Sequence, residues 1–177
     1  LKYIRLIYSL FEFMLIKVKN KDTLIFDDFI FRCSIGKRGI SNKKKEGDLC
    51  TPKGLFKLDT VFYRSDRIKN IRTKLKLRKI DKSMGWCNDP LSKKYNSLIK
   101  ISKKLKHEKL YRKDNKYDVI LVIGYNIKNP IPFKGSAIFL HLTKNYKPTS
   151  GCVALVKKDF LILLKIISRN SKIEMKN

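Results

Sequence analysis

A histidine and a cysteine stand eleven positions apart in HLTKNYKPTSGCVAL, His141 to Leu155, in a chain with two histidines and four cysteines. These residue types make a base and a nucleophile. An unperturbed thiol titrates near ~8.5, so a neighbouring imidazole is needed to hold Cys152 as a thiolate at neutral pH. Pro148, Thr149, Ser150 and Gly151 form a turn-prone run that would return the chain, hairpin-like, and set Cys152 beside His141. Gly151 lets the backbone approach a carbonyl closely, and the N–H groups of Gly151 and Cys152 are natural donors to the oxyanion of a tetrahedral intermediate. The same run also fits a plainer arrangement of strand, polar turn and strand, with Cys152 a small buried hydrophobe and His141 a satisfied core histidine.

The elements that must carry this pair are mostly strands. DVILVIGYN (Asp118 to Asn126) and SAIFLHL (Ser136 to Leu142) are continuous apolar runs of strand length, which predicts central strands buried on both faces, with His141 ending one of them. Alternation in MLIKVKN (Met14 to Asn20) predicts a strand, TLIFDDFIFRCSIG (Thr23 to Gly36) one or two more, and LFKLDTVFY another. After Cys152 comes VALV, then a helix with Asp159 as N-cap and an apolar stripe through Leu161, Leu164 and Ile167. Arg64 to Lys109 is polar, lysine-rich and irregular, which in a compact domain marks either function or disorder.

A length of 177 residues, 43% of them hydrophobic, suits one domain with a full core. The net charge of +27 points to anionic surroundings or substrates. Nucleic acid is one such partner, and a basic nucleic-acid-binding module is the competing function class. Lysine is spread through nearly every segment, however, without a basic helix, zinc-finger spacing or aromatic platform to organise base contacts. Cys33, Cys50, Cys87 and Cys152 lack CxxC spacing, which speaks against structural zinc, while a Cys33–Cys87 disulfide and free thiols both stay open. Residues 1–13 read as an upstream extension or a weak signal segment, with Met14 the expected start; the first sixteen residues lack a small-residue cleavage site and are short and charged for a membrane span.

The segment from His141 to Leu155 resembles the active-site run of the L,D-transpeptidase (YkuD-like) catalytic domain family, in which a strand His precedes Ser or Thr, any residue, Gly and the nucleophilic Cys. Here those positions are His141, Thr149, Ser150, Gly151 and Cys152. KKKEGDLCTPKGLFKL, GWCNDP, YN, HEKLYR, YDVILVIGYN and GSAIFLHL resemble further segments of one branch, so the likeness runs from about Met14 to about Ile167. Departures are Ala154 where many members have Arg, Leu142 where Gly often follows the His, and Leu49 where Gly often closes the EGDG loop.

The resemblance implies a mainly β fold with a few short helices, mixed sheets in a sandwich-like single domain over residues 14–170. It implies Cys152 as nucleophile, His141 as general base and the Gly151 N–H at the oxyanion. The reaction implied is acyl transfer on peptidoglycan stem peptides, releasing a terminal D-alanine through a thioester. The thioester is resolved by an amine of another stem or, in an L,D-carboxypeptidase or cysteine amidase, by water. No cofactor or metal is implied. Thr149, Ser150, Tyr125, Asn126, His107 and Trp86 are the candidate substrate contacts, with Glu108 beside His107 a candidate second acid or base, although a Trp such as Trp86 more often closes a core and a His in a lysine-rich loop such as His107 is more often a solvated surface group. A monomer is expected, with no integral membrane span and no specific nucleic acid as partner, in the periplasm or cell envelope where that substrate lies.

Overall fold

Alternating and doubly apolar segments pair into one large sheet in the computed structural model, which describes residues 14–42 and 45–176. Its strands are β1 (Leu15–Lys19), β2 (Thr23–Phe26), β3 (Phe29–Arg32), β6 (Gly54–Tyr63), β7 (Leu77–Lys79), β11 (Val119–Ile123), β12 (Phe139–Leu142), β13 (Val153–Leu155) and β14 (Lys172–Met175). The order is β13-β12-β11-β6-β14-β1-β2-β3, with β7 beside β6. Past β3, Ser34 exchanges two backbone hydrogen bonds with Ala154 of β13, at 2.9 and 2.8 Å, so the two edges of the sheet meet and it nearly closes. The mainly β fold with mixed sheets expected from the sequence is observed.

Register decides what each face carries. In β11 and β12, Val119, Leu121, Ile123, Leu140 and Leu142 face one core with Val153 and Leu155. That core is capped by α1 (Lys157–Ile166), which buries Phe160, Leu163 and Leu164. Ile120, Val122 and Phe139 face a second core with Phe62, Met84, Trp86 and Leu110. With successive side chains pointing to opposite faces, both β11 and β12 must be apolar on both, as their sequences are except at His141.

The second core is roofed by a small sheet, β10-β8-β9, of β8 (Met84–Cys87), β9 (Leu98–Lys100) and β10 (His107–Lys109). This is the region that reads as irregular in sequence. Its strands are three or four residues long, too short for a periodic signal, and they gain order by covering the large sheet. The chain leading back into β11 is pinned by two arginines. Buried Arg64 forks onto Asp66 at 2.6 and 2.8 Å and donates to the Arg112 carbonyl, while Arg67 pairs with Asp118 at 2.9 Å. A two-stranded pair, β4 (Ile40–Ser41) with β5 (Thr51–Pro52), completes the elements.

Two expectations are corrected. The helix begins two residues before Asp159, with Val156 as N-cap and no side-chain cap; Asp159 instead sits in the first turn, where its charge complements the helix dipole. Of the expected stripe, Leu164 and Ile167 are buried, whereas Leu161 is only half-buried and Phe160 and Leu163 supply the rest. All four cysteines are free thiols, and burial pushes Cys33 up to about 12. Residues 1–13 lie outside the described residues.

β14 lies beyond residue 170 and in the middle of the large sheet, hydrogen-bonded to both β1 and β6, with Ile173 and Met175 fully buried. Ending the chain at residue 170 should therefore leave two strand edges and a core unfilled. Far-UV circular dichroism and size-exclusion chromatography of that truncation are expected to show unfolded or aggregated protein.

Candidate active site

β12 and β13 run parallel, with Leu140 opposite Val153, His141 opposite Ala154 and Leu142 opposite Leu155. This corrects the hairpin-like return expected from the sequence. A parallel partner requires the chain to travel back to the starting end of the strand, and residues 143–152 make that journey along the segment following β3. There Thr149 accepts from Lys37 N–H and donates to the Ile35 carbonyl at 2.9 and 2.8 Å. Cys152 precedes Ala154 by two positions, so its side chain shares the face of His141. Both lie on the second core, beside Phe139 and Tyr117.

The sulfur is held by the backbone of the strand across from it. Cys152 Sγ donates to the Ala137 carbonyl at 3.2 Å and accepts from the Phe139 N–H at 3.4 Å. The first bond suits a thiol and the second suits a thiolate, so the same seat serves both protonation states. His141 is 7% exposed, and its Nδ1 lies 2.9 Å from the Leu142 carbonyl. A carbonyl only accepts, so Nδ1 carries the proton and Nε2 is left as a base. This carbonyl is the group that orients the imidazole, a partner that no side-chain pattern in the sequence names.

Burial is the main reason that His141 is pushed down to about 4; Lys116 and Arg112 push the same way, and the Leu142 carbonyl and Asp114 oppose them. The imidazole is therefore neutral, as a base must be, over the whole physiological range. Tyr117 lies edge-on to it, ring centroids 5.6 Å apart, and donates its hydroxyl to Glu108 Oε1. Burial raises Tyr117 well above the ordinary phenol value, reinforced by the charges of Glu108 and Cys152, so the hydroxyl stays protonated. Burial also raises Glu108, against Tyr117, Arg112 and Lys116. Glu108 is legible in the sequence beside His107, as a candidate second acid or base; Tyr117 is not, and only its adjacency to the core run hints at it.

The remaining sequence candidates separate. Thr149 and Gly151 belong to the turn itself: Thr149 Oγ1 donates to the Cys152 carbonyl at 2.6 Å and accepts from Gly151 N–H at 3.1 Å. The Gly151 N–H is thus already engaged by the Thr149 hydroxyl. Gly151 has a φ of 138°, outside the range that residues with a Cβ favour. Ser150 is exposed. Trp86 is buried, edge-on to Phe62 and Phe139, and donates Nε1–H to Asn96 Oδ1 at 2.9 Å. In the small sheet Glu108 pairs with Trp86 and faces inward, so His107, one position earlier, faces away from the imidazole; its Nδ1 meets the Leu105 carbonyl at 2.7 Å. Tyr125 packs edge-on to Phe56 beside the first core, and Asn126 ties down the loop that follows it.

Thr51 is a further residue that sequence reading passes over. Fully buried, its Oγ1 accepts from Gly36 N–H and donates to the Gly151 carbonyl, both at 2.9 Å, and so joins the glycine before the cysteine to the β4–β5 region. Among the described residues no three His, Cys, Asp or Glu side chains converge to hold a metal ion. Nor is any described helix long and apolar enough to cross a membrane.

A cysteine seated between a backbone donor and a backbone acceptor, on one face with a neutral, oriented imidazole, can carry out nucleophilic acyl transfer. The family comparison agrees with that class: the model of the L,D-transpeptidase catalytic domain (YkuD) matches residues 12–175, nearly the whole chain. The chain belongs to this family, whose members are cysteine-dependent enzymes. No curated protein matches it.

Two measurements test the geometry. Thr51→Val keeps the shape but leaves the Gly36 N–H and Gly151 carbonyl without their partner, and should cost about 1–3 kcal/mol in urea unfolding. Because His141 is pushed below its unfolded value, the unfolded chain binds a proton that the native one refuses between about pH 6.5 and 4. Its contribution is complete above that window and is lost as pH falls through it. Stability should drop across this range by the order of 3 kcal/mol more in the unmodified protein than in His141→Gln.

Proposed function

We propose that this protein is a peptidoglycan L,D-transpeptidase with Cys152 as nucleophile and His141 as general base. The observation that carries the reading is the common face of the two residues on adjacent parallel strands, with Nδ1 committed to the Leu142 carbonyl and the sulfur bonded to Ala137 and Phe139. His141 Nε2 takes the thiol proton. The thiolate attacks the carbonyl joining the third residue of a stem tetrapeptide to its terminal D-alanine, and the oxygen takes up the negative charge. Collapse of this tetrahedral species breaks the C–N bond; the D-alanine amine leaves with the proton returned by His141, and a thioester remains on Cys152.

An amine of a second stem then approaches, His141 removes its proton, and attack on the thioester forms the new amide and restores the thiol. Water in place of the amine gives a carboxypeptidase instead. Burial keeps the imidazole neutral, and so able to accept a proton, at any pH above its depressed value, at the cost of weaker basicity. The charge of +27 supports an acidic substrate, and Arg112 and Lys116, which both act on His141, bring that positive potential to the site. Such a substrate sets the workplace at the cell wall, on the outer side of the cytoplasmic membrane.

Incubation with a disaccharide tetrapeptide from peptidoglycan, followed by mass spectrometry, tests the assignment. Cross-linked dimers and free D-alanine are expected from the unmodified protein and none from Cys152→Ala, while His141→Gln should lose ~10²–10⁴ in rate. Tripeptide alone would move the assignment to hydrolysis. Absence of any product or acyl adduct on Cys152 would refute it.

A further inference from the structure

Cys152 owes its seat to residues 137–139, and that stretch does not hold itself in place. Ala137 has a φ of 53°, a left-handed conformation that a residue with a Cβ adopts only under constraint. Three side chains from elsewhere in the chain supply that constraint, one for each of three successive residues. The Gly135 N–H donates to Tyr95 Oη at 3.0 Å, Ser136 Oγ donates to Glu46 Oε2 at 2.8 Å, and the Ala137 N–H donates to Asn96 Oδ1 at 3.0 Å. Tyr95 donates its own hydroxyl to the same Glu46 oxygen. Glu46 in turn donates its N–H to the Phe133 carbonyl at 2.7 Å.

Asn96 is the centre of this clamp. It is 2% exposed, with a φ of 54°, and its amide makes four hydrogen bonds. Oδ1 accepts from Ala137 N–H and Trp86 Nε1–H, and Nδ2 donates to the carbonyls of Tyr125 and Asn126 at 3.0 and 2.6 Å. Asn126 uses its own amide to close the following loop onto Ile131 and Gly135. Both ends of the 125–137 connection are therefore tied to one buried side chain, whose capacity is fully used.

The geometry points to Asn96, with Tyr95 and Glu46, as a positioning residue for Cys152: the three side chains fix the Gly135–Ala137 turn so that the Ala137 carbonyl and the Phe139 N–H bracket the sulfur. Asn96 acts through the backbone and touches neither the thiol nor a substrate. The inference rests on the proposed role of Cys152, but its consequence for the thiol can be read without any substrate. Releasing the turn removes a donor that favours the thiolate and an acceptor that favours the thiol. The charge-assisted N–H bond to the thiolate is the stronger of the two, since S–H is a weak donor, so the thiol pKa should rise.

The test is the pH dependence of iodoacetamide alkylation at Cys152, read on its own peptide by mass spectrometry, with near-UV circular dichroism to establish that each variant is folded. Asn96→Ala should move the alkylation midpoint upward by about one unit, a tenfold loss of thiolate at neutral pH. Tyr95→Phe, which leaves every Asn96 bond in place and frees only Gly135 and Glu46, should move it the same way by less. Phe160→Leu, in the opposite core, should lower stability with the midpoint unchanged. On stem-peptide substrate, kcat should fall about tenfold for Asn96→Ala with KM held within about twofold. If folded Tyr95→Phe, and Asn96→Ala where it folds, alkylate as the unmodified protein does, the clamp has no such role. A shifted midpoint in a protein that turns over no stem peptide would keep the clamp and sink the transpeptidase reading, so the two fail separately.

Discussion

Because β12 and β13 run parallel and carry a side chain to alternate faces at each step, a slip of one residue in either would turn His141 or Cys152 from the Trp86 side to the helix side. Nothing else in the site survives such a slip. The register is held from both flanks: β11 pairs with β12 over Ile120 to Val122, and Ser34 locks Ala154 from the far edge. Apart from His141 these strands are apolar on both faces, so a slipped register would still bury hydrophobic groups. What separates the native register from its neighbours is polar: the bonds of the Cys152 sulfur to the Ala137 carbonyl and the Phe139 N–H cross between the two segments and close only in this one.

Burial does two opposed things at this centre. It lowers His141 and raises Tyr117 and Glu108, in each case disfavouring the charged form, in a chain whose surface is strongly cationic. Positive charges at Arg112 and Lys116 reinforce the neutral imidazole, because a second cation is unwelcome beside them. The same charges would favour a carboxylate on an incoming peptide. One electrostatic arrangement thus prepares the base and suits the proposed substrate.

The roof over the second core shows how polar sequence becomes ordered structure. Residues 64–118 contribute buried Arg64, Asn96 and Asp118, each paired, together with apolar anchors such as Met84, Trp86 and Leu110 that pack under the roof. Arg64 lies over the Tyr111 ring, 3.5 Å from its centroid, and also holds the Arg112 carbonyl. Leu49 shows a smaller compromise. It stands where the family resemblance leads one to expect glycine, and its φ of 60° is one that glycine adopts without strain.

Residue type and local period determined a great deal by themselves. The doubly apolar runs read as buried central strands, the alternating ones as β1, β2, β3 and β6, and the His, Thr, Gly and Cys spacing singled out His141 and Cys152 together with their family. Three things were decided only in three dimensions: the parallel sense of β12 and β13, the short strands of the roof, and the bonds that seat the thiol and the imidazole. The parallel sense depends on where a ten-residue connection finds partners, here in the segment after β3. The roof strands are too short to carry a period. The seating groups are backbone carbonyls and N–H groups, present at every position of the sequence and so invisible as pattern. Even the side chains that serve them, Asn96 for Ala137 and Thr51 for Gly151, act across 41 and 100 residues of chain. Local sequence specifies which side chains can do chemistry, but the long-range register of a nearly closed sheet selects which backbone groups face them.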